Sequence, residues 1–160
     1  MPDVISNTSP LQYLYQLDLL SILPALAGSV WVPPAVVEEL AAGRAAGVRL
    51  PDPETLPWVK VRRPVGEVAL PLVNDLGPGE TEVLMLALEL HDAVVVLDDG
   101  LARQVAETLR LPLTGTLGLL LDAKRKGLVP AVVPLLDQLH ALRFRVSAST
   151  RAAVLRLAGE

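Results

Sequence analysis

Cysteine is absent from the 160 residues, which removes disulfide scaffolds, thiolate zinc sites and thiol nucleophiles together. Aromatic residues make up only 3%, too little material for a platform that stacks a run of unpaired bases. His91 and His140 are the only imidazoles. They are far apart in sequence and outside any metalloprotease spacing, so a bound metal must draw on oxygen ligands. Long apolar runs are also missing: Leu84–Leu88 and Leu117–Leu121 are broken by charge, well short of the roughly 20 residues a membrane span needs. Met1-Pro2-Asp3 lacks the basic flank of a signal peptide, and the expectation is a cytoplasmic protein with no membrane contact. Neither Gly77-Pro78-Gly79-Glu80 nor Gly115-Thr116-Leu117-Gly118 makes a nucleotide-binding glycine loop, since no strand-to-helix fingerprint or phosphate-binding lysine accompanies them. No nucleophile elbow is present.

What is there is enough for one core. A chain of this length with 51% apolar residues reads as one domain over 1–160. The net charge of −4 argues against a protein that coats nucleic acid without specificity. The average conceals an asymmetry: Met1 to Gly100 hold 5 Lys/Arg and 14 Asp/Glu, whereas Leu101 to Gly159 hold 9 Lys/Arg and 3 Asp/Glu. Such a division suits early carboxylates that hold a cation and later basic residues that hold a polyanion, although scatter over a solvated surface would give it too.

Short β-rich runs alternate with longer helical ones. Val4-Ile5-Ser6, Val30-Trp31-Val32, Trp58 to Val61, Ala93 to Leu97 and Leu111 to Thr114 read as strands, and Phe144-Arg145-Val146 as a last short one. Helices are expected from about Pro10 to Leu20, Ala35 to Ala42, Gly77 to His91, Gly100 to Leu109, Leu117 to Lys126, Pro130 to Leu142 and Ser149 to Leu157, the last capped by Ser149 or Thr150. The all-apolar run Ala93–Leu97 has the character of a strand buried on both faces. The alternation predicts an α/β fold, a parallel sheet with helices on both faces. Ligands in such sheets bind beyond the strand carboxyl ends, where the strand order reverses.

Small polar residues fall at those ends. Asn7 and Ser9 follow the first strand and Asp98 and Asp99 the buried one; Glu80 stands in the first turn of its helix, and Glu38 and Glu39 lie on the helix after Val32. Carboxylates gathered from distant segments repel one another unless a cation or protons compensate them, and hard oxygen donors suit Mg²⁺ or Mn²⁺. Such an ion activates water and stabilises charge on a phosphodiester. Each residue also has a plainer use. Asp98 or Asp99 would cap the next helix, Glu80 would complement a helix dipole, and Glu38 and Glu39 would be ordinary helix-surface acids. Ser6, Thr8 and Ser9 could orient a phosphate or cap a helix, and Thr114 and Thr116, flanking Gly115 at a strand end, could face the same crevice. Arg103, one turn beyond Asp99, either reaches over the acidic crevice or forms a structural ion pair. Lys124-Arg125-Lys126 closes a helix, by dipole complementarity or as a contact for an RNA backbone.

These stretches, taken in order, resemble the PIN-domain superfamily. The resemblance is carried by Val4-Ile5-Ser6-Asn7-Thr8-Ser9-Pro10-Leu11, Val32-Pro33-Pro34-Ala35-Val36-Val37-Glu38-Glu39-Leu40, Gly79-Glu80 with Ala87, Val96-Leu97-Asp98-Asp99 with Ala102-Arg103, and Leu113-Thr114-Gly115-Thr116-Leu117-Gly118 with Ala123-Lys124 and Lys126-Gly127. More narrowly, the chain resembles an uncharacterised branch related to the toxin nucleases of toxin–antitoxin pairs. The resemblance implies a three-layer α/β/α sandwich with a central parallel sheet, and an acidic cluster that binds Mg²⁺ or Mn²⁺ and hydrolyses RNA as an endoribonuclease. It also implies an antitoxin protein as partner and a homodimer. Carried over by position, the metal-site residues are Asn7, Glu39, Glu80 and Asp99, with Asp98 as an additional carboxylate; Ser9, Arg103, Thr114 and Thr116 stand as candidates for orienting substrate by their places in the chain alone. The family has aspartate where this chain has Asn7, and an amide keeps one oxygen but loses the charge. The alternative is therefore a catalytically impaired PIN-like binding or regulatory protein. A dimer is also expected from the N-terminal helix, whose Leu11, Leu14, Tyr15, Leu17 and Leu19 offer more apolar surface than one sheet face needs.

Overall fold

The structure, a computed structural model, describes residues 2–66 and 75–160. Met1 and 67–74 lie outside the described residues. Five short strands, β1 (Val4–Ser6), β2 (Val30–Val32), β3 (Val59–Val61), β4 (Val94–Val96) and β5 (Leu113–Thr114), form one sheet in the order β3-β2-β1-β4-β5. Every pairing is parallel: Ile5 sits opposite Trp31 on one side and Val95 on the other, while β3 and β5 complete the edges. The chain builds outward from β1 through β2 to β3, then returns to the other side of β1 for β4 and β5. Strand order therefore reverses between β1 and β4, and their carboxyl ends lie side by side, with the Asn7 N–H donating to the Val96 carbonyl at 3.1 Å.

Eight helices are described: α1 (Thr8–Gln16), α2 (Ile22–Leu26), α3 (Pro34–Ala45), α4 (Pro78–Leu90), α5 (Gly100–Thr108), α6 (Thr116–Arg125), α7 (Val133–Ala141) and α8 (Ala148–Ala158). A 3₁₀ turn spans Pro53–Thr55. Helices on both sides of the sheet make the three-layer α/β/α sandwich: α4 covers β1 and β4 and touches α3 and α5, while α6 touches α1, α2 and α8. The strands are apolar on both faces because both are covered; Ile5, Val32, Val95 and Val96 have no exposed surface, nor have Leu84 and Leu86 of α4 or Leu120 of α6. No described helix is long and apolar enough to cross a membrane.

Several sequence expectations are corrected. Phe144-Arg145-Val146 is not a strand. Arg143 takes a left-handed conformation, φ 67°, and the Phe144 N–H turns back to the Leu139 carbonyl at 2.9 Å to close α7, so the segment is used as a helix stop. The helix expected from Pro130 begins at Val133. Ser147, not Ser149 or Thr150, caps α8, accepting from the Thr150 N–H at 3.1 Å. The short α2 was not expected; it holds Pro24 and has no capping side chain to mark it. Leu11, Leu14 and Leu17 of the N-terminal segment are buried, and Tyr15 and Leu19 pack against the same core. The apolar surface from which a dimer was expected therefore lies inside the protomer.

Candidate functional site

The crevice at the strand reversal is built from three loops that become helices. After β1 the chain turns at Asn7 and enters α1; Asn7 is almost fully buried, and its side chain makes no bond to the helix it precedes. Instead Asn7 Nδ2 donates to Glu80 Oε1 at 3.2 Å. Glu80 is in the first turn of α4, which opens with Gly77 as cap and Pro78 at the first helical position. Turning the amide over would set its oxygen against the Glu80 carboxylate, so the donating side is fixed. Asn7 Oδ1 is left as a buried oxygen with no hydrogen-bond partner.

Glu39 arrives from α3. Its Oε1 accepts the Gly79 N–H at 3.1 Å, and its Oε2 accepts the Thr8 hydroxyl. Gly79 is the point around which these groups close. A Cβ there would lie 2.6 and 2.9 Å from the two Glu39 oxygens and 3.0 Å from Asn7 Oδ1, closer than real side chains tolerate. Only the bare backbone of glycine allows the three oxygens to gather at the start of α4. Glu38, exposed on the same helix, takes no part. Glu82, also on α4, is turned towards α3 instead. Its Oε1 accepts the Ala35 N–H at 3.2 Å, supplying the cap that Pro33 cannot give that helix.

The acids after β4 are arranged separately. Asp99 is exposed and caps α5, accepting the Ala102 N–H at 2.9 Å. Asp98 receives both the backbone N–H of Thr116 at 2.8 Å and its hydroxyl at 2.7 Å, tying β4 to the N-terminus of α6. Burial pushes the Asp98 carboxyl above its ordinary value, against the two Thr116 bonds and the nearby Arg103 guanidinium, which pull it down. Arg103 Nη1 donates to the Leu97 carbonyl at 2.8 Å and lies 2.9 Å from where a Gly115 Cβ would stand. Thr114 packs its hydroxyl against the backbone of Gly118. Ser9 is half-buried beside the site, and Ser6 Oγ donates to the Asn7 carbonyl at 3.0 Å.

A family model described as a PIN domain matches residues 3–160. The chain belongs to the PIN-domain family. A comparison with curated proteins finds no match. PIN domains are associated with divalent-metal nuclease chemistry, so the residues in hand can be tested against such an ion. Asn7, Glu39 and Glu80 come together; Asp98 and Asp99 are held by helix N-termini. Among the described residues, no three acidic or imidazole side chains gather where one ion could sit. Protein donors already occupy the carboxylates that do approach one another: Gly79 N–H and the Thr8 hydroxyl on Glu39, the Asn7 amide on Glu80. The donor set does not match the carboxylate-rich centre that resemblance to the family implies. An amide group and backbone N–H dipoles stand in part where a cation's charge would be expected.

Sequence reasoning named Asn7, Glu39 and Glu80, which the fold brings together. It did not identify Gly79 as the pivot, nor Glu82 as a cap. The signal for the latter was present: a helix opening Pro33-Pro34 has no capping side chain of its own, so its free N–H groups need an acceptor from elsewhere.

Proposed function

We propose that this PIN domain is a catalytically impaired member that acts by binding, as a regulatory or RNA-binding protein, and not by hydrolysis. The observation that carries the reading is the hydrogen bond from Asn7 Nδ2 to Glu80 Oε1. Where the family pattern has a further carboxylate, the chain offers an amide whose N–H₂ compensates one of the two remaining acids. The basic second half of the chain supports a polyanion as ligand. The test is cleavage of structured and unstructured RNA by the purified chain with Mn²⁺, beside Asn7→Asp and Glu80→Gln. The wild type should show no cleavage above a metal-free control while still retarding RNA in a gel. Turnover that needs Mn²⁺ and is abolished by Glu80→Gln overturns the proposal.

One observation favours a second reading, a Mg²⁺- or Mn²⁺-dependent endoribonuclease of the toxin type working beside an antitoxin protein. Asn7 Oδ1 is buried and unpartnered next to Glu39, and an oxygen without a donor is one a cation would satisfy. On that reading Asn7, Glu39 and Glu80 hold the ion, Asp98 and Asp99 border it, and Ser9, Arg103, Thr114 and Thr116 orient the phosphodiester. The same assay separates the two.

A further inference from the structure

Bordering the acidic crevice and sharing Asp98, Arg103 and Thr114 with it, a cleft of about 440 Å³ lies between the start of α6 and the link from α7 to α8. That volume falls within the roughly 300–1,000 Å³ typical of small-ligand pockets. Its walls differ in chemistry. Leu117 and Phe144 supply an apolar side, Arg103 and Arg145 a cationic one, and Asp98 and Thr114 add an acceptor and a hydroxyl. Phe144 is the only phenylalanine of the chain and is held edge-on to Tyr13, ring centroids 4.8 Å apart with 85° between planes. It is thus a fixed aromatic wall, not a mobile one. Arg145 has no hydrogen-bond or ion-pair partner among the described residues. Arg103 commits one of its five N–H groups to the Leu97 carbonyl.

We infer that this cleft binds a nucleotide unit, its phosphate at Arg145 and Arg103 and its base against Leu117 and Phe144. A ligand with a flat apolar body and an anionic end fits the apolar and cationic walls together. Arginine meets phosphate oxygens with paired N–H donors. A single aromatic face suffices to stack one base, where a run of bases would need several. Asp98, in the same wall, is held by the N–H and hydroxyl of Thr116 and marks the acidic side of the cleft. Glycine at 115 lets Asp98 and Arg103 close in on the backbone, because a Cβ there would come within 2.8 Å of Asp98 Oδ1 and 2.9 Å of Arg103 Nη1. The unit is either a free nucleotide or one residue of an RNA strand crossing the crevice.

Titration calorimetry of the full chain in EDTA tests the inference, with the four nucleoside 5′-monophosphates, the corresponding nucleosides, inorganic phosphate and a short oligoribonucleotide as probes. At least one monophosphate should bind saturably, more tightly than its nucleoside and than phosphate alone. Arg145→Ala, an exposed position whose change leaves the core untouched, should weaken it about tenfold or more, the effect of losing a charge-assisted contact. An oligoribonucleotide that binds at least as tightly as the monophosphate marks a strand as the source; weaker binding marks a free nucleotide. Absence of binding by every monophosphate and the oligoribonucleotide, or binding unchanged in both Arg145→Ala and Arg103→Lys, overturns the inference. A mononucleotide has no internucleotide bond, so the result is independent of whether the chain hydrolyses RNA.

Discussion

The amide of Asn7 binds only one acid of the site: its nitrogen donates to Glu80 Oε1 at 3.2 Å, while its oxygen, buried and without a donor, lies with the Glu39 carboxylate around Gly79. The donated hydrogen bond offsets part of the charge that Glu39 and Glu80 bring to one crevice from α3 and α4.

Asn7→Asp exchanges a donor for a like charge beside Glu80. In EDTA at neutral pH the variant should lose about 1.5–3 kcal/mol, the worth of a hydrogen bond to a charged group, or roughly 4–9 °C in Tm at this chain length. Added Mn²⁺ should restore that loss and raise the midpoint of the variant more than that of the wild type, since the ion now meets three carboxylates. Differential scanning calorimetry with and without the ion checks both halves. Equal midpoints for wild type and variant in EDTA would show that the amide offsets no charge there.

Gly79→Ala should be destabilising although alanine is the better helix former. The gain in helix propensity is at most about 1 kcal/mol, whereas the new methyl displaces Glu39 from the Gly79 N–H and crowds Asn7 Oδ1, costing about 1.5–3 kcal/mol. A net loss of about 1 kcal/mol by urea denaturation is expected. Glu39→Gln in the Gly79→Ala background should then cost less than it does alone, because the contact has already been lost.

Much of the fold was legible because its determinants are local. The unbroken Val/Leu run before Asp98 and the proline and glycine punctuation around Pro78 and Gly127 mark a buried strand and helix limits without any tertiary information. The family pattern singled out Asn7, Glu39 and Glu80, and the fold brings these three side chains together. What escaped depended on distant partners. Whether Asp98 or Asp99 caps α5 turns on where Thr116 arrives, and the strand expected at Phe144-Arg145-Val146 fails because Leu139 claims the Phe144 N–H. Apolar residues on α1 looked surplus because a sequence does not show that α6 and α3 close over them.

Asp99 and Asp98, adjacent in sequence, should separate in mutagenesis. Asp99→Ala removes the cap of α5 and should cost about 1 kcal/mol, and Asp99→Asn, which keeps an accepting oxygen, should recover most of it. Neither change should alter Mn²⁺ affinity, because the side chain is directed to the Ala102 N–H. Chemical denaturation paired with Mn²⁺ titration checks this, and a fall in metal affinity as large as that produced by Glu80→Gln would return Asp99 to the role of ligand.

At the carboxyl terminus the side chain of Glu160 anchors the end of α8 to the start of α7. It accepts from Lys124 Nζ at 2.8 Å and from the N–H groups of Val132 and Val133 at 2.7 and 3.1 Å. The Lys124 hydrogen bond, helped by the Val132 N–H, lowers its carboxyl to about 2 from an ordinary 4.5. A carboxylate depressed in the folded state contributes stability above its unfolded value and loses it as pH falls towards the folded one. Glu160→Gln should therefore be less stable than the wild type at neutral pH, and the gap should narrow as pH falls from about 4.5 through about 2, as the wild-type carboxylate takes up its proton. Thermal melts across that range check the sign: a gap that stays constant with pH would assign the anchor to packing and neutral hydrogen bonds, not to the charge.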